Sequence, residues 1–398
     1  MDAMIKTCSD TNICSSLSIF SDEIKEYYER FVNMDLILLN KVELIGKTSG
    51  AINGTIYSLP YFKTGNTCYA IMKRPQSRDA DNLMYEAFAG NIINLFYKWV
   101  PCFTETYAFG VTTDKNLKKT QFKMEPIENV TTNLASTSCV KNEDFCVIAQ
   151  QLMILETLDE QYKSLQKTFQ YWELTVPSQC FQLYAALDKL KNQFTHYDLH
   201  TSNVLVSYPT KNQNEFTKLR YYYSANDVVE ISTLGIVKII DYGRAFVSKT
   251  ADENSKTWIK KAESSKECKD LYKTGYGQIY DKYSYMDRST SNVSHDLRIL
   301  NYQCDDFYYS NFGKDKEMLM YSMCRKVTYT KEHGTKEIKA GKYPNKIVNV
   351  SDAHKCLYDI VVSEKYKRQS DEYFKNKQCI GVLHIWINET RNMVFTES

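Results

Sequence analysis

Apolar and polar positions alternate in two regimes along this 398-residue chain. Up to about Gln151 the apolar runs are short and strand-like. A polar start leads into Ser21 to Met34, which reads as a short helix capped by Ser21. Leu36 to Phe62 offers two β-like runs around a Gly-Lys-Thr-Ser-Gly turn. "CYAIMK" (Cys68 to Lys73) reads as a strand with Tyr69, Ile71 and Lys73 on one face. Ser77 to Val100 follows as a helix, with Leu83, Ala87, Ile92 and Leu95 as its apolar side. Phe103 to Thr112 and Asp144 to Gln151 are again strand-like.

Helical spacing then takes over. Val176 to Phe194 has Pro177 in what reads as its first turn, and Cys180, Leu183, Leu187 and Leu190 mark its buried side. A polar excursion from Pro209 to Gly235 precedes a strand from Ile236 to Phe246. The remainder is mostly helical in pattern, and Cys379 to Phe395 reads as a two-stranded tail around a polar turn. Strands first and helices second predict an α+β chain in two lobes, divided near Gln151.

Composition narrows the classes. Hydrophobic content of 43% and charged content of 25% suit a globular protein. The net charge of +2 gives no global basic face for nucleic acid, and no apolar run approaches the roughly 18 residues of a membrane span. Twelve cysteines lack close metal-ligand spacing, and no secretory signal opens the chain, so free thiols in an intracellular setting are expected. The 31 tyrosines suggest half-buried strands and helix faces, although a base-composition bias of the genome yields the same excess.

Chemistry enters with "FTHYDLHTSNVLVSY" (Phe194 to Tyr208), which puts two of only six histidines beside an aspartate and an asparagine. The spacing His196-x-Asp198-x4-Asn203 suits phosphoryl transfer. Asp198 would accept or orient the proton of an attacking hydroxyl, Asn203 would reach a phosphate-bound metal, and His196 would hold the loop by hydrogen bonding to its backbone. A polar loop after a helix is the plainer alternative. Asp241, in "IIDYG", ends an apolar strand as a magnesium-binding carboxylate would, and also as an ordinary Asp-x-Gly turn would. Lys73 on its strand and Glu86 on the next helix could pair at the phosphates, or could each lie on a solvated surface. Their order along the chain favours the chemical reading. Glycine turn, strand lysine, helix glutamate, His-x-Asp-x4-Asn and Asp-x-Gly follow one another in fitting segments.

That ordered set resembles the protein kinase superfamily, through "AIMK", "HYDLHTSN" and "DYG". With "HYDLHTSNVLV", the long gap to "IIDYG" and the later "NVSHDLRIL", it looks most like the haspin-like kinases of large DNA viruses, of the iridovirus type. The resemblance implies a bilobal kinase-like fold: an N-terminal extension over 1–35, a small β-rich N-lobe over 36–150, and a larger helical C-lobe over 151–398. It implies ATP and Mg2+ as cofactors and serine or threonine hydroxyls of viral or host proteins as acceptors. No nucleic acid or membrane partner follows from it, and the place of action would be host cytoplasm or virion.

Carried over residue by residue, the resemblance makes Asp198 the catalytic base and Asn203 and Asp241 the metal ligands. Lys73 becomes the phosphate-binding lysine and Glu86 its partner. Ile45, Gly46, Gly50, Gly54 and Ile56 would line the nucleotide site with Lys73. Asp296 would brace the catalytic loop through backbone amides, and His196 would support it. His200 stands where a serine/threonine kinase has lysine, as in haspin-like kinases and in small-molecule phosphotransferases of the aminoglycoside and choline kinase type; it could stabilise the transferring group. Tyr197 replaces the arginine that many kinases use to bind a phosphorylated activation loop. The glycine turn is stretched, and no Ala-Pro-Glu follows Asp241. The insertion "LRYYYSANDVVEISTLGI" would form an extra hairpin, as a partner site or an inert decoration. A small-molecule phosphotransferase and a non-catalytic nucleotide-binding pseudokinase stand as alternatives.

Overall fold

A computed structural model describes residues 43–44, 54–63, 66–75, 83–97, 100–111, 123–126, 145–150, 155–210, 212–248 and 290–387. The helix expected at Ser21 to Met34 and the residues Ile45, Gly46 and Gly50 lie outside them.

The strand-like runs assemble first. β1 (Glu43–Leu44), β2 (Gly54–Lys63), β3 (Asn66–Pro75), β4 (Thr106–Val111), β5 (Lys123–Pro126) and β6 (Phe145–Gln150) form one sheet in the order β1-β2-β3-β6-β4-β5. Every pairing in it is antiparallel. Helix α1 (Leu83–Tyr97) buries Leu83, Ala87, Phe88, Ile92 and Ile93. Leu95, expected on that face, is 59% exposed. Gly90 lets α1 approach β4 closely, and Asn94 grips the Thr106 backbone, donating to its carbonyl at 2.6 Å and accepting its N–H at 3.1 Å.

β7 (Leu155–Thr157) leads into α2 (Leu158–Leu165), where Thr157 and Glu160 satisfy each other's orphan amides in a capping box. Helix α3 (Val176–Lys189) carries Pro177 in its first turn, as expected. It continues from a π-helical turn over Tyr171–Thr175, in which the Val176 N–H reaches back to the Tyr171 carbonyl. Proline has no N–H to donate, which a first-turn position tolerates. Cys180, Leu183, Leu187 and Leu190 are all buried, as their spacing predicts.

After α3 come β8 (Phe194–Thr195), β9 (Val204–Ser207), β10 (Glu215–Tyr222), β11 (Val228–Thr233), β12 (Ile236–Ile239) and β13 (Phe246–Val247). The helices α4 (Arg298–Tyr309), α5 (Leu319–Cys324), α6 (Lys331–Thr335), α7 (Val350–Val362) and α8 (Glu364–Phe374) follow, and β14 (Gln378–Trp386) ends the described chain. β12, β9 and β7 form one small sheet, β8 and β13 another, and β10 lies between β11 and β14 in a third. The insertion therefore does form a hairpin, and the apolar tail pairs with it in parallel rather than folding back on itself within the described residues.

The architecture is mixed α+β with small sheets. One core cluster runs from Phe88 and Phe103 through Phe181 and Leu187 to Val204, Ile239, Leu300 and Leu357. Trp172 anchors its far side, with Tyr171 and Phe307 packed edge-on at centroid distances of 4.9 and 5.3 Å. No helix among the described residues is long and apolar enough to cross a membrane. A short parallel bridge between Phe103 and Ile239 places the next feature. The Ile239 N–H donates to the Cys102 carbonyl at 2.7 Å and the Thr104 N–H donates to the Ile239 carbonyl at 3.2 Å. This ties the end of β12 to the segment entering β4, and brings residue 241 under the first sheet.

Candidate active site

Strand alternation sets Lys73 on one face of β3, directly opposite Ile56 of β2 and Val147 of β6. Its ammonium donates to Glu86 Oε2 at 2.8 Å and to Asp241 Oδ1 at 2.9 Å. Glu86 comes from the first turn of α1, and Asp241 from the residues after β12. Burial by itself would lower the Lys73 pKa, but the Asp241 and Glu86 carboxylates outweigh it and hold the lysine charged, well above its ordinary range. Burial would likewise raise the Asp241 pKa, and Lys73 reverses that, so the carboxyl stays ionised. Its backbone is left-handed, with φ 66° and ψ 69°, a conformation that non-glycine residues hold only when their surroundings enforce it.

The loop 196–203 is built on a second carboxylate. Asp296, in a short turn over His295–Leu297, accepts the His196 N–H at 2.7 Å on Oδ2 and the Tyr197 N–H at 3.1 Å on Oδ1. These bonds support a left-handed Tyr197 (φ 62°), whose hydroxyl donates to the Thr290 carbonyl at 2.7 Å and whose ring packs on His295 at 4.9 Å. The Asp198 N–H donates to His196 Nδ1 at 3.2 Å, which puts the imidazole proton on Nε2, facing the Ile240 carbonyl at 2.8 Å. Asn203 donates its side-chain N–H to the Asp198 carbonyl at 2.9 Å and accepts the Ile240 N–H on its own carbonyl at 3.1 Å. His196 and Asn203 thus fasten the loop to the residues that precede Asp241.

His200 caps the turn Thr201–Asn203 by accepting the Ser202 N–H on Nδ1 at 3.2 Å. Burial lowers its pKa, against the opposing pull of Asp198, and favours a neutral ring with its proton on Nε2. The Asp198 carboxylate itself faces Arg244, whose Nη1 lies 3.2 Å from Oδ2.

The structure therefore brings Lys73, Glu86 and Asp241 into direct contact, and joins Asp198, Asn203, His196 and Asp296 to them through the 240–244 segment. Gly54 opens β2 opposite Pro75, and Ile56 stands across from Lys73. Three contributors went unnoticed in the sequence. Arg244 pairs with Asp198; Tyr85 donates to the Ala245 carbonyl at 2.6 Å; the Tyr242 hydroxyl receives the Thr104 N–H at 2.9 Å. The only available signal was that Arg244 and Tyr242 adjoin Asp241, and no spacing rule assigns a partner to a tyrosine hydroxyl.

The donor set suits a hard divalent cation. With its amide nitrogen committed to Asp198, Asn203 presents Oδ1, and Asp241 carries a second oxygen not engaged by Lys73. Among the described residues no cluster of three or more His, Cys, Asp or Glu is arranged to hold a metal ion. Two oxygen ligands are what Mg2+ requires where phosphates and water complete an octahedron. No protein-family model matches this chain, and no curated protein matches it.

Proposed function

We propose that this chain is an ATP- and Mg2+-dependent protein kinase of bilobal, haspin-like type, transferring the γ-phosphoryl group to serine or threonine hydroxyls of protein substrates. The observation that carries the reading is the Lys73 ammonium held between Glu86 and Asp241 beside a loop bearing Asp198 and Asn203. A lysine in that position binds the α- and β-phosphates, and Glu86 fixes its direction. Asn203 and Asp241 hold magnesium, which when bound offsets phosphate charge. Asp198 orients the acceptor hydroxyl and takes its proton as the new O–P bond forms and the bond to the β–γ bridging oxygen breaks, releasing ADP. His200, neutral, donates a hydrogen bond from Nε2 toward the transferred group.

A small-molecule hydroxyl acceptor is the second reading, favoured by histidine at position 200. Labelled ATP, incubated with mixed proteins and with small alcohols, separates the two. Protein labelling lost in Asp198→Ala is expected. Labelling of the alcohols alone would establish the second reading, and nucleotide binding with no transfer to either would reject both.

A further inference from the structure

The net charge of +2 is unevenly spread. Between Arg325 and Lys346 the chain carries six lysines and one arginine against two carboxylates, Glu332 and Glu337. This local excess of positive charge leaves the remainder of the chain acidic on balance. All seven cations are exposed, and among the described residues none of them forms an ion pair. Arg325 lies over the Tyr321 ring at 5.9 Å and Lys342 over the Tyr343 ring at 5.3 Å.

The segment is a fixed lobe. Its two ends meet in a short parallel bridge between Val327 and Ile347. There the Ile347 N–H donates to the Lys326 carbonyl at 2.9 Å, and Lys346 donates from its ammonium to the Arg325 carbonyl at 3.3 Å. Between the ends, the Lys336 N–H closes a turn on the Glu332 carbonyl at 2.8 Å and the Lys342 N–H another on the Lys339 carbonyl at 3.1 Å. Ile338 and Ile347 are buried, so the apolar side chains of the lobe turn inward and the cations outward. The Ile338 N–H donates to Ser294 Oγ at 2.7 Å, and the Asn292 side chain donates to the His333 carbonyl at 3.0 Å. The lobe therefore hangs from the segment that presents Asp296 to the loop 196–203.

Like charges held in one small lobe repel each other, and a polyanion removes that repulsion while releasing its own counterions. Lysines outnumber arginine here, and an ammonium is a point charge on a flexible stem. It suits phosphates strung along a backbone better than the two-point grip that arginine gives a single carboxylate or phosphoserine. A membrane surface would be met by apolar anchors among the cations. The lobe instead buries its aliphatic residues and exposes the Tyr343 ring, a platform on which a base can stack.

We infer that the lobe 325–346 is a nucleic-acid-binding surface that takes the phosphate backbone without sequence preference. It does not depend on the phosphoryl-transfer reading given above.

The test measures binding of the full chain to fluorescein-labelled DNA, single-stranded and duplex, by anisotropy over a series of salt concentrations. Wild type is expected to bind with Kd on the order of micromolar at low salt. The slope of log Kd against log salt should be roughly 3 or more on duplex, since each neutralised phosphate contributes about 0.9. Lys336→Glu, Lys339→Glu and Lys342→Glu combined should weaken binding by about 10-fold or more and flatten the slope by about 2–3. Each Lys→Ala change alone should flatten it by about one. A charge-matched control, Lys167→Glu with Lys314→Glu and Lys367→Glu, should bind as wild type does. No DNA binding, binding unchanged in the lobe variants, or an equal loss in the control overturns the inference. Tighter binding to phosphatidylserine vesicles or to polyglutamate than to DNA at the same salt would assign the lobe to a membrane or to an acidic protein, and also overturns it.

Discussion

Lys73 and Asp241, 168 positions apart in the chain, meet at 2.9 Å. One ammonium holds two carboxylates from different elements, so its removal leaves Glu86 and Asp241 facing each other across a partly buried gap. Lys73→Met should cost about 1–3 kcal/mol in denaturant unfolding, below the figure for a fully buried pair because Asp241 keeps some solvent contact. The same variant should lose ATP binding, measured by calorimetry. Unchanged nucleotide affinity would remove Lys73 from the phosphate site.

Asp296 accepts two backbone amides with two oxygens. Asp296→Asn keeps one acceptor and turns an N–H donor toward another N–H. An expected loss of about 2 kcal/mol in stability, with a larger fall in kcat than in KM, follows from a misplaced loop. Equal activity at equal stability would mean that the loop holds its shape without this brace.

Lys238 is wholly buried on β12, with its ammonium 3.4 Å from the Phe103 carbonyl, and burial lowers its pKa from 10.5 to about 8. The unfolded chain therefore binds this proton more tightly than the folded one, and the lysine's contribution to stability rises with pH between those two values. Lys238→Met should stabilise the fold at pH 7 by on the order of 3 kcal/mol, a gain that shrinks as pH climbs toward 10. Thermal melts at the two pH values measure it; a destabilised variant at pH 7 would show that the lysine's polar contacts outweigh its burial.

Asp188 on α3 is bound by His354 Nδ1 at 2.8 Å, by Lys191 at 3.0 Å and by the Ser351 hydroxyl. Burial would raise its pKa, but the hydrogen bonds from His354, Ser351 and Lys191 prevail and hold the carboxyl below its usual 3.8. The stability it confers is present above that value and is lost as pH falls through the lower, folded-state value. Asp188→Asn should cost roughly 2 kcal/mol at neutral pH and should flatten the acid limb of the stability profile. A limb as steep as in wild type would assign acid unfolding to other carboxylates.

A methyl group at Gly90 would lie 2.7 Å from Thr106 Cβ, so α1 must shift away from β4 to accept it. Gly90→Ala should lose about 1–3 kcal/mol despite the helix-favouring residue. Because Glu86 rides on the same helix, the variant should also raise KM for ATP, which steady-state kinetics would detect.

Local pattern made much of this legible. The strand of Lys73, the helix of Glu86, and the turns of Asp198 and Asp241 each carry a short-range signature of alternation, helical spacing or turn chemistry. Leu95 was misassigned because its spacing extended a stripe whose other members, Leu83, Ala87 and Ile92, are buried, while Leu95 itself, near the end of the helix, is exposed. Pro177 does mark the first turn of its helix, while the π turn over Tyr171–Thr175 that precedes it leaves no comparable mark in the sequence. The contacts of Asp198 with Arg244 and of β10 with β14 depend on where distant segments come to rest, and neither leaves a periodic mark.

β10 is the middle strand of its sheet, with β11 on one side and β14 on the other. The polar insertion and the end of the described chain are thus mutually dependent: each covers backbone groups that the other would leave open to any passing strand. A truncation that removes Gln378 to Trp386 would not shed an ornament. It would turn an interior strand into a sticky edge, and the damage would show as self-association in the test tube and as clearance by quality control in the cell.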